Sequence, residues 1–490
     1  MTEHFPALII IGPMLTAATI MFIGNRYVAR GVATLVAWAT FAMAVTTLGE
    51  AVHDPIQYIL GGWEPPMGIE YRLDAFSGLL LVLISGIASV VLPFGPGSAQ
   101  TRVEPRRMHL YYSAFLLTMS GLMGIAITGD LFNVFVFLEI SSLGSYTLIS
   151  LGKDRRALMA AFSYLVMGTI GGTFVLLGIG LVYQLTGSLN MADIAAILPG
   201  VIDTPTAKVA LAFLAVGSAV KLAVFPLHQW LPNAYTHAPS AVSAFLAATG
   251  TKVSFYVLTR TLFGIFGSAF VFGTLGLERI LVPLALLAMF IGSVAAIFQT
   301  NIKRLLAYSS IAQIGYLVLG LAMANVSGLT GSIVHLVNHG MTKGGLFLVV
   351  ACITFRTHSS TIDDLAGLAQ KMPIVAAAWV VGGLAMIGVP TTAGFISKWY
   401  LVLGALERGW YGIAAAILLS SLLAVVYVWR VVEVFYFRTA PEDSPVTEAP
   451  IQMLIPTWFL IGMTVVFGVW APLTAGVAES AALLLLGGAQ

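Results

Sequence analysis

Seven of the titratable side chains within the long apolar stretches of this 490-residue chain are candidates for proton or ion chemistry. In chain order they are Glu139, Lys221, Lys252, His335, His339, Lys343 and Lys398. An ionisable group at membrane depth costs a few kcal/mol or more, so it usually faces a polar interior and usually has a function. Amines, imidazoles and a carboxylate can pass protons to one another through water. The residue types and their placement therefore favour an ion or proton pathway through a bilayer.

The composition explains why these groups would lie at membrane depth. The chain is 59% apolar and only 9% charged, with a mean hydropathy of +0.95. Soluble proteins carry roughly 25% charged residues, so this chain lacks the surface for a soluble fold. We predict one integral, multi-pass membrane domain of the all-α class. The formal net charge of +2 gives no information about partners, and we expect no nucleic-acid partner.

Several kinds of chemistry are absent from the sequence. The single cysteine, Cys352, lies inside a predicted span, which excludes internal disulfides and cysteine-based metal sites. Gly-rich phosphate loops, nucleophile elbows and HExxH are not found. We therefore expect no metal, no cofactor and no enzymatic activity of the chain itself. The start, MTEHFPALIIIGPML, lacks a basic n-region and is predicted to be a retained first helix rather than a signal peptide.

The apolar pattern predicts about fourteen spans, since each crossing needs about 20 apolar residues. They are 5–23, 31–49, 76–95, 108–127, 130–151, 158–185, 207–230, 238–262, 268–299, 302–323, 330–354, 373–404, 410–437 and 455–476. Lys and Arg, including Lys303, are concentrated in the loops of one side, which the positive-inside rule assigns to the cytoplasm. This places the chain in the cell inner (plasma) membrane with both termini outside. The outer segment 50–74 is predicted to form a short hairpin or an interfacial element, with Asp74 as a helix cap rather than an ion-entry residue.

Two of the predicted spans are broken by proline. Pro226 follows Lys221 in the seventh span, whereas Pro390, flanked by Gly388 and Gly394, precedes Lys398 in the twelfth. This reversed order is what an inverted repeat would produce. We predict two inverted five-helix repeats, 108–262 and 268–437, preceded by three N-terminal helices in 1–107 and followed by a fourteenth helix in 438–490. Broken helices at membrane depth are typical of transporters.

Glu139 and Lys221 are predicted to work together. Glu139 lies about 14 Å into its span, and Lys221 lies about 21 Å from the end of its own, too deep for its ammonium to reach the headgroups. Glu139 could be a neutral acid held by a neighbouring hydroxyl, but an ion pair with a buried lysine is the favoured interpretation. Lys252, at similar depth, can relay a proton through water or bind a carbonyl. His228, two residues after Pro226, can hydrogen-bond freed backbone or relay protons.

His335, His339 and Lys343 follow one another at intervals of four residues in GSIVHLVNHGMTKGGLF. On a helix this spacing places all three on one stripe, about 6 Å apart. Imidazole titrates near neutral pH, which suits a proton relay. A metal site is disfavoured because no carboxylate or thiol lies nearby in the sequence. The stripe therefore predicts a hydrated path.

Four segments resemble the antiporter-like subunits shared by respiratory complex I and the Mrp-type multisubunit cation/proton antiporters, the Mrp D subunit most of all. They are GDLFNVFVFLEISSLGSYTLI, AVKLAVFPLHQWLPNAYTHAPSAVSAFLAATGTK, SIVHLVNHGMTKGGLF and GVPTTAGFISKWY, in the order in which the family has them. The resemblance implies fourteen helices with broken seventh and twelfth helices. It also implies a Glu–Lys pair at Glu139 and Lys221, a connecting Lys252, histidines at His335 and His339, and a terminal lysine at Lys398; Lys343 fits the same line.

The resemblance implies a proton-translocating subunit of a cation (Na⁺)/proton antiporter, assembled with other membrane subunits. An alternative is a proton-pumping subunit of a redox complex of the complex I or membrane-bound hydrogenase type. A third is a self-sufficient solute transporter, which would need a substrate pocket at the midplane rather than single charges in a row. A fourth alternative is a purely structural subunit, but that role would not explain why the costly buried charges are present.

Overall fold

The computed structural model describes residues 2–439 and 446–487, except for the side chains of Thr2 and of residues 95–102. The predicted C-terminal segment 438–490 therefore lies partly outside the described residues. The α-helices are α1 Phe5–Ile23, α2 Arg26–Ala51, α3 Ala75–Arg102, α4 Met108–Ile127, α5 Leu131–Ser150, α6 Arg155–Thr186, α7 Met191–Ile197, α8 Pro205–Leu222, α9 Trp230–His237, α10 Ser240–Thr259, α11 Glu278–Ile297, α12 Ile302–Met323, α13 Val326–Thr357, α14 Leu368–Lys371, α15 Pro373–Ile387, α16 Ala393–Glu407, α17 Tyr411–Phe437, α18 Ile451–Val469 and α19 Pro472–Leu485.

Shorter elements join the α-helices. The strands are β1 Ile56–Ile59 and β2 Glu70–Leu73, and the short 3₁₀ segments are Thr2–His4, Leu60–Gly62, Pro105–Arg107, Leu198–Gly200 and Asp363–Leu365. Two π-helical turns, Arg260–Ile265 and Ala269–Thr274, follow α10. The all-α membrane fold class predicted from the sequence is confirmed.

Within the described ranges, 13 helical segments are long and apolar enough to cross a membrane. The predicted span 373–404 is divided between α15 and α16, each of 15 residues. The predicted span 455–476 falls on two helices, α18 and α19, because the chain bends at residues 470–471. The total of fourteen spans therefore stays a prediction.

The helices at the centre of the bundle include α10 and α13, which carry Lys252 and the predicted stripe. In α12 and α13, 94% of the most apolar 18 residues are buried, whereas in the peripheral α17 the figure is 33%. A helix surrounded by other helices can keep ionisable groups away from lipid. The central position of α13 therefore matches the stripe of titratable residues predicted on it.

Residues 50–74 contain the predicted hairpin, which is confirmed. Strands β1 and β2 pair antiparallel, with Ile56 opposite Leu73 and Ile59 opposite Glu70. Asp74 follows β2, and its Oδ1 accepts hydrogen bonds from the backbone N–H groups of Phe76 and Ser77, both at 3.0 Å. The predicted capping role of Asp74 at the start of α3 is therefore confirmed. The side of the bundle that carries β1 and β2 is called the hairpin face below.

Both predicted helix breaks are present. Helix α8 ends at Leu222, Ala223 adopts a left-handed conformation with φ 61°, and α9 begins at Trp230. Helix α15 ends at Ile387, Gly388 has φ 88°, and α16 begins at Ala393. Glycine adopts this φ without the steric penalty of a Cβ atom, so Gly388 suits the position. The inverted repeats and the boundaries 108–262 and 268–437 stay predictions.

Candidate functional site

Glu139 and Lys221 meet where α5 and α8 face each other. Lys221 lies in the last turn of α8, and its Nζ is 3.7 Å from Glu139 Oε1. The same Nζ donates a hydrogen bond to Ser142 Oγ at 2.7 Å. Ser142 is three residues after Glu139, so both lie on one face of α5. We call Glu139, Ser142 and Lys221 the Glu–Lys cluster. Its lysine side chain is 5% exposed and its glutamate side chain 30% exposed.

Two glycines let α6 pass close to the Glu–Lys cluster. A Cβ atom at Gly172 would lie 2.3 Å from Glu139 Oε1, and one at Gly168 would lie 3.4 Å from Lys221 Nζ. Any larger residue at Gly172 would therefore displace the carboxylate. The sequence offered a weak signal for this arrangement, since glycine spaced by four residues is common where membrane helices approach closely.

A small polar cavity adjoins the cluster. It has a volume of about 30 Å³, and its lining includes Lys221 together with Ser141, Ser142 and Ser145 of α5. A buried water needs about 10–15 Å³ and polar partners, so the cavity has room for about two. The cavity extends to Gly250 and Ser254 of α10. It therefore lies between the Glu–Lys cluster and the helix that carries Lys252.

Lys252 is fully buried in α10. Its Nζ donates a hydrogen bond to the carbonyl oxygen of Ala247 at 2.5 Å. Helices α10 and α13 are in close contact, because a Cβ atom at Gly340 would lie 2.9 Å from the carbonyl oxygen of Ala248. These two helices carry Lys252 and the pair of His339 and Lys343, respectively. The structure thus places Lys252 beside the α13 stripe.

The predicted stripe of His335, His339 and Lys343 lies on α13, and all three side chains are buried. The two imidazole centroids are 5.9 Å apart, and His335 Nδ1 is 2.9 Å from Ser397 Oγ of α16. Within the described residues, His335 Nε2 and both ring nitrogens of His339 have no hydrogen-bond partner. A cavity of about 10 Å³ adjoins both rings, with Gln313 also in its lining. Buried polar atoms are normally hydrogen-bonded, so this region is suited to water.

Two buried amines, Lys343 in the stripe and Lys398 beside it, bind backbone carbonyls. Lys343 Nζ donates to the carbonyl of Leu306 at 2.9 Å and to Ser309 Oγ. Lys398 Nζ donates to the carbonyls of Met386 at 3.3 Å and Ile387 at 2.7 Å. These two carbonyls belong to the last turn of α15, where an ended helix leaves acceptors unused. The break before α16 therefore supplies the acceptors for Lys398.

The ring of Tyr316 covers the ammonium group of Lys398. Lys398 Nζ lies 4.8 Å from the ring centroid, within the range of a cation–π contact. The same ring lies 5.5 Å from that of His335. Tyr316 thus lies between Lys398 and the α13 stripe. The sequence did not identify this residue, because an aromatic side chain within an apolar span is ordinary.

His228 lies in the connection between α8 and α9, half-buried, with its ring stacked on Phe225 at 5.2 Å. In the part of the chain described, no hydrogen bond or ion pair joins it to the other predicted site residues, and its Nδ1 has no partner. Its role in a pathway stays a prediction.

The sequence-based assignment of Lys303 to a loop is wrong. Lys303 lies in the first turn of α12, is 1% exposed, and donates to the carbonyl of Ala238 at 3.2 Å. His237 nearby lies 3.9 Å from Asp154 Oδ2. Burial lowers the pKa of His237, and the Asp154 carboxylate opposes that effect. Asn301, a typical helix cap two residues before Lys303, was the signal that the helix begins there.

Among residues 2–439 and 446–487, no group of three or more His, Cys, Asp or Glu side chains could hold a metal ion. The fold and the site define a class: a polytopic membrane protein with a buried Glu–Lys pair, a row of buried bases and two interrupted helices. The chain belongs to the family described as NADH:quinone oxidoreductase/Mrp antiporter, TM, which it matches over residues 128–424.

Two curated relatives and two solved structures refine this assignment. The chain is 43% identical to "NADH-quinone oxidoreductase subunit N" of Desulforudis audaxviator, covering 92% of this chain and 90% of the relative. It is 33% identical to "Putative antiporter subunit mnhD2" of Staphylococcus saprophyticus, covering 90% of this chain and 88% of the relative. A chain in the Mrp complex from Dietzia sp. DQ12-45-1b superposes with a TM-score of 0.91 at 26% identity, covering 99% and 97%. A chain in an archaeal membrane-bound sulfane sulfur reductase superposes with a TM-score of 0.90 at 28% sequence identity, covering 98% of this chain and 97% of that chain.

Proposed function

We propose that this protein is the proton-translocating subunit of a multisubunit Mrp-type Na⁺/H⁺ antiporter. The observation that carries the proposal is the buried pair of Glu139 and Lys221, 3.7 Å apart beside the interruption after α8. A relative named as an antiporter subunit and the fold shared with a chain of an Mrp complex support the choice of assembly.

The Glu–Lys cluster is the proposed switch. Two unit charges 3.7 Å apart interact by about 4 kcal/mol at an effective dielectric constant of about 20. When Glu139 approaches, the protonated form of Lys221 is stabilised by up to this amount. When Glu139 withdraws, the proton leaves Lys221 for the water of the adjoining cavity. A change of this size alters the protonated-to-neutral ratio of Lys221 by about a thousandfold.

From that cavity the proton passes to Lys252 and then to the α13 stripe. His339 and His335 have ring nitrogens with no hydrogen-bond partner in the described part of the protein, so each can receive a proton from water and deliver it to water. Lys343 lies beside the path and is not one of its steps, since its ammonium group binds the carbonyl of Leu306 on α12. Lys398 is the last group, and the carbonyls at the end of α15 hold its ammonium form. Rearrangement at either interruption changes which side of the membrane the end groups face.

The orientation and the partners follow from the same proposal. The chain lies in the cell inner (plasma) membrane with both termini outside, as the positive-inside rule predicts. Other membrane subunits surround it, and the chain itself catalyses no covalent reaction. Na⁺ crosses elsewhere in the assembly or along a face shared with a partner.

A redox-driven proton pump is the second candidate. It is favoured by the relative named NADH-quinone oxidoreductase subunit N and by the structural similarity to a chain of a sulfane sulfur reductase. The pathway inside this chain would be the same, but the energy would come from electron transfer in a partner. A stand-alone solute transporter is less favoured, because the cavities beside the buried charges hold only about 30 and 10 Å³.

Vesicles that contain the intact purified complex separate the two candidates. With a pH gradient imposed and no reductant present, the antiporter predicts that added NaCl collapses the gradient and that ²²Na⁺ moves in the opposite direction. A redox pump predicts no response to NaCl and gradient formation only when reductant and acceptor are supplied. Flux that depends on reductant alone would contradict the antiporter proposal.

A further inference from the structure

A charged cavity opens at the hairpin face, away from the groups used so far. Its volume is about 240 Å³, large enough for several waters, and its polar lining includes Glu70, Arg72, Asp74, Tyr256 and Arg260. These residues come from β2, the N-cap of α3, the end of α10 and the π-helical turn that follows α10. The cavity therefore brings water to the same helix that carries Lys252.

Three of the lining residues, Asp74, Tyr256 and Arg260, form a compact group with Phe76, which is not itself in the lining. Arg260 and Asp74 form an ion pair at 2.5 Å, with side chains 21% and 13% exposed. The guanidinium carbon lies 5.0 Å from the ring centroid of Tyr256 and 5.7 Å from that of Phe76. The two rings are themselves 4.9 Å apart. We call Asp74, Phe76, Tyr256 and Arg260 the floor cluster.

The floor cluster lies directly in line with Lys252. Tyr256 and Arg260 follow Lys252 by four and eight residues, so they share one face of the helix at about 6 and 12 Å along its axis. The hydrogen bonds of Lys252, however, go to Ala247 and Thr251, which precede it in the helix. Tyr256 donates its hydroxyl proton to the carbonyl of Ala126 at 2.9 Å. No hydrogen bond in the described part of the chain joins Lys252 to the floor cluster.

We infer that Arg260 is a seal that stops protons leaking between the hairpin-face cavity and Lys252. A guanidinium group stays protonated and has five N–H donors but no acceptor, so a proton cannot hop through it. Its fixed charge also repels an approaching hydronium ion, as positive groups do in other membrane pores.

The partner of Arg260 cannot relay protons in its place. The carboxylate of Asp74 accepts from two backbone N–H groups and from Arg260, and these contacts hold the guanidinium over the rings. The seal is needed because an exchanger whose protons reach both sides at once loses its coupling. This inference rests on the proposed function, in which Lys252 carries a transported proton.

The test is passive proton permeability of vesicles containing the intact complex, with a pH gradient and with neither Na⁺ nor reductant. Arg260→Gln removes a unit charge about 12 Å from Lys252. At an effective dielectric constant of about 20, this charge changes the probability that an excess proton reaches Lys252 by about a factor of ten. We expect the permeability to rise by about tenfold over the wild type. Arg72→Gln is the matched control, because Arg72 lines the same cavity but is exposed and lies outside the floor cluster. It should leave permeability unchanged.

Two further variants identify the route and exclude misfolding as the cause. Lys252→Met combined with Arg260→Gln should return the leak to the wild-type value, because the leak passes through Lys252. Asp74→Asn combined with Arg260→Gln removes both charges and leaves no unpaired carboxylate. It should leak less than Arg260→Gln, because the net charge is that of the wild type, but more than the wild type, because the guanidinium that blocks proton transfer is gone. Arg260→Lys keeps the charge and should leak less than Arg260→Gln.

Wild-type permeability in an assembled Arg260→Gln or Asp74→Asn/Arg260→Gln complex would overturn the inference. A leak that persists when Lys252 is replaced would overturn it as well. Because this assay contains no Na⁺, its result is separate from that of the exchange assay. If the exchange assay shows no Na⁺/H⁺ exchange, the proposed function fails, but the leak assay on the Arg260 variants still decides whether Arg260 is a seal.

Discussion

Glu139→Gln tests the switch assigned to the Glu–Lys cluster. The substitution keeps the size of the side chain and removes its charge, while Ser142 continues to accept its 2.7 Å hydrogen bond from Lys221. The pair is 3.7 Å apart, which gives about 4 kcal/mol at an effective dielectric constant of about 20. Glu139 is 30% exposed, so screening reduces this, and we take about half, or about 2 kcal/mol.

A loss of about 2 kcal/mol corresponds to a fall of about thirtyfold in the protonated-to-neutral ratio of Lys221. We expect Na⁺/H⁺ exchange by vesicles containing the complex to fall by a similar factor. Glu64→Gln provides the control, since Glu64 is an exposed carboxylate of the hairpin region. Exchange within about twofold of the wild type in an assembled Glu139→Gln complex would refute the role of this charge pair.

Two other substitutions test the surroundings of the path. Gly172→Ala should lower exchange by about tenfold, roughly 1.4 kcal/mol, because a Cβ atom there would lie 2.3 Å from Glu139 Oε1, whereas Gly180→Ala on the same helix has open space and should be silent. Equal activity of the two alanine variants would show that the close approach of α6 is unimportant. Lys398→Met should abolish exchange by removing the last proton acceptor, while Lys208→Met, at an exposed lysine of α8, should leave it intact. Exchange retained after Lys398→Met would place the end of the path elsewhere.

The sequence predicted the features that depend on residues close together in the chain. Apolar runs predicted nearly every membrane helix, and Pro226 and Pro390 predicted the two interruptions, because proline removes a backbone hydrogen bond wherever it lies. The residues 335, 339 and 343 share a helix face by spacing alone. A carboxylate and a lysine deep in apolar spans predicted a pair, because neither charge is stable there without a partner.

The partners that the sequence left open depend on how distant helices pack. Ser142 and Gly172 became part of the Glu–Lys cluster only because α5, α6 and α8 meet there. The pairing of Arg260 with Asp74 joins residues 186 positions apart. A single sequence gives no information on such contacts. Lys303 was assigned to a loop because a charge beside a predicted span end usually lies in water.

The most direct test of the central claim is proton flux through Lys221→Ala. In vesicles containing the assembled complex, pH and ²²Na⁺ are followed together after a Na⁺ gradient is imposed, with Lys208→Ala as the control. The account predicts that Lys221→Ala abolishes both fluxes while the control keeps both. Full exchange by assembled Lys221→Ala would remove this residue from the mechanism and contradict the account.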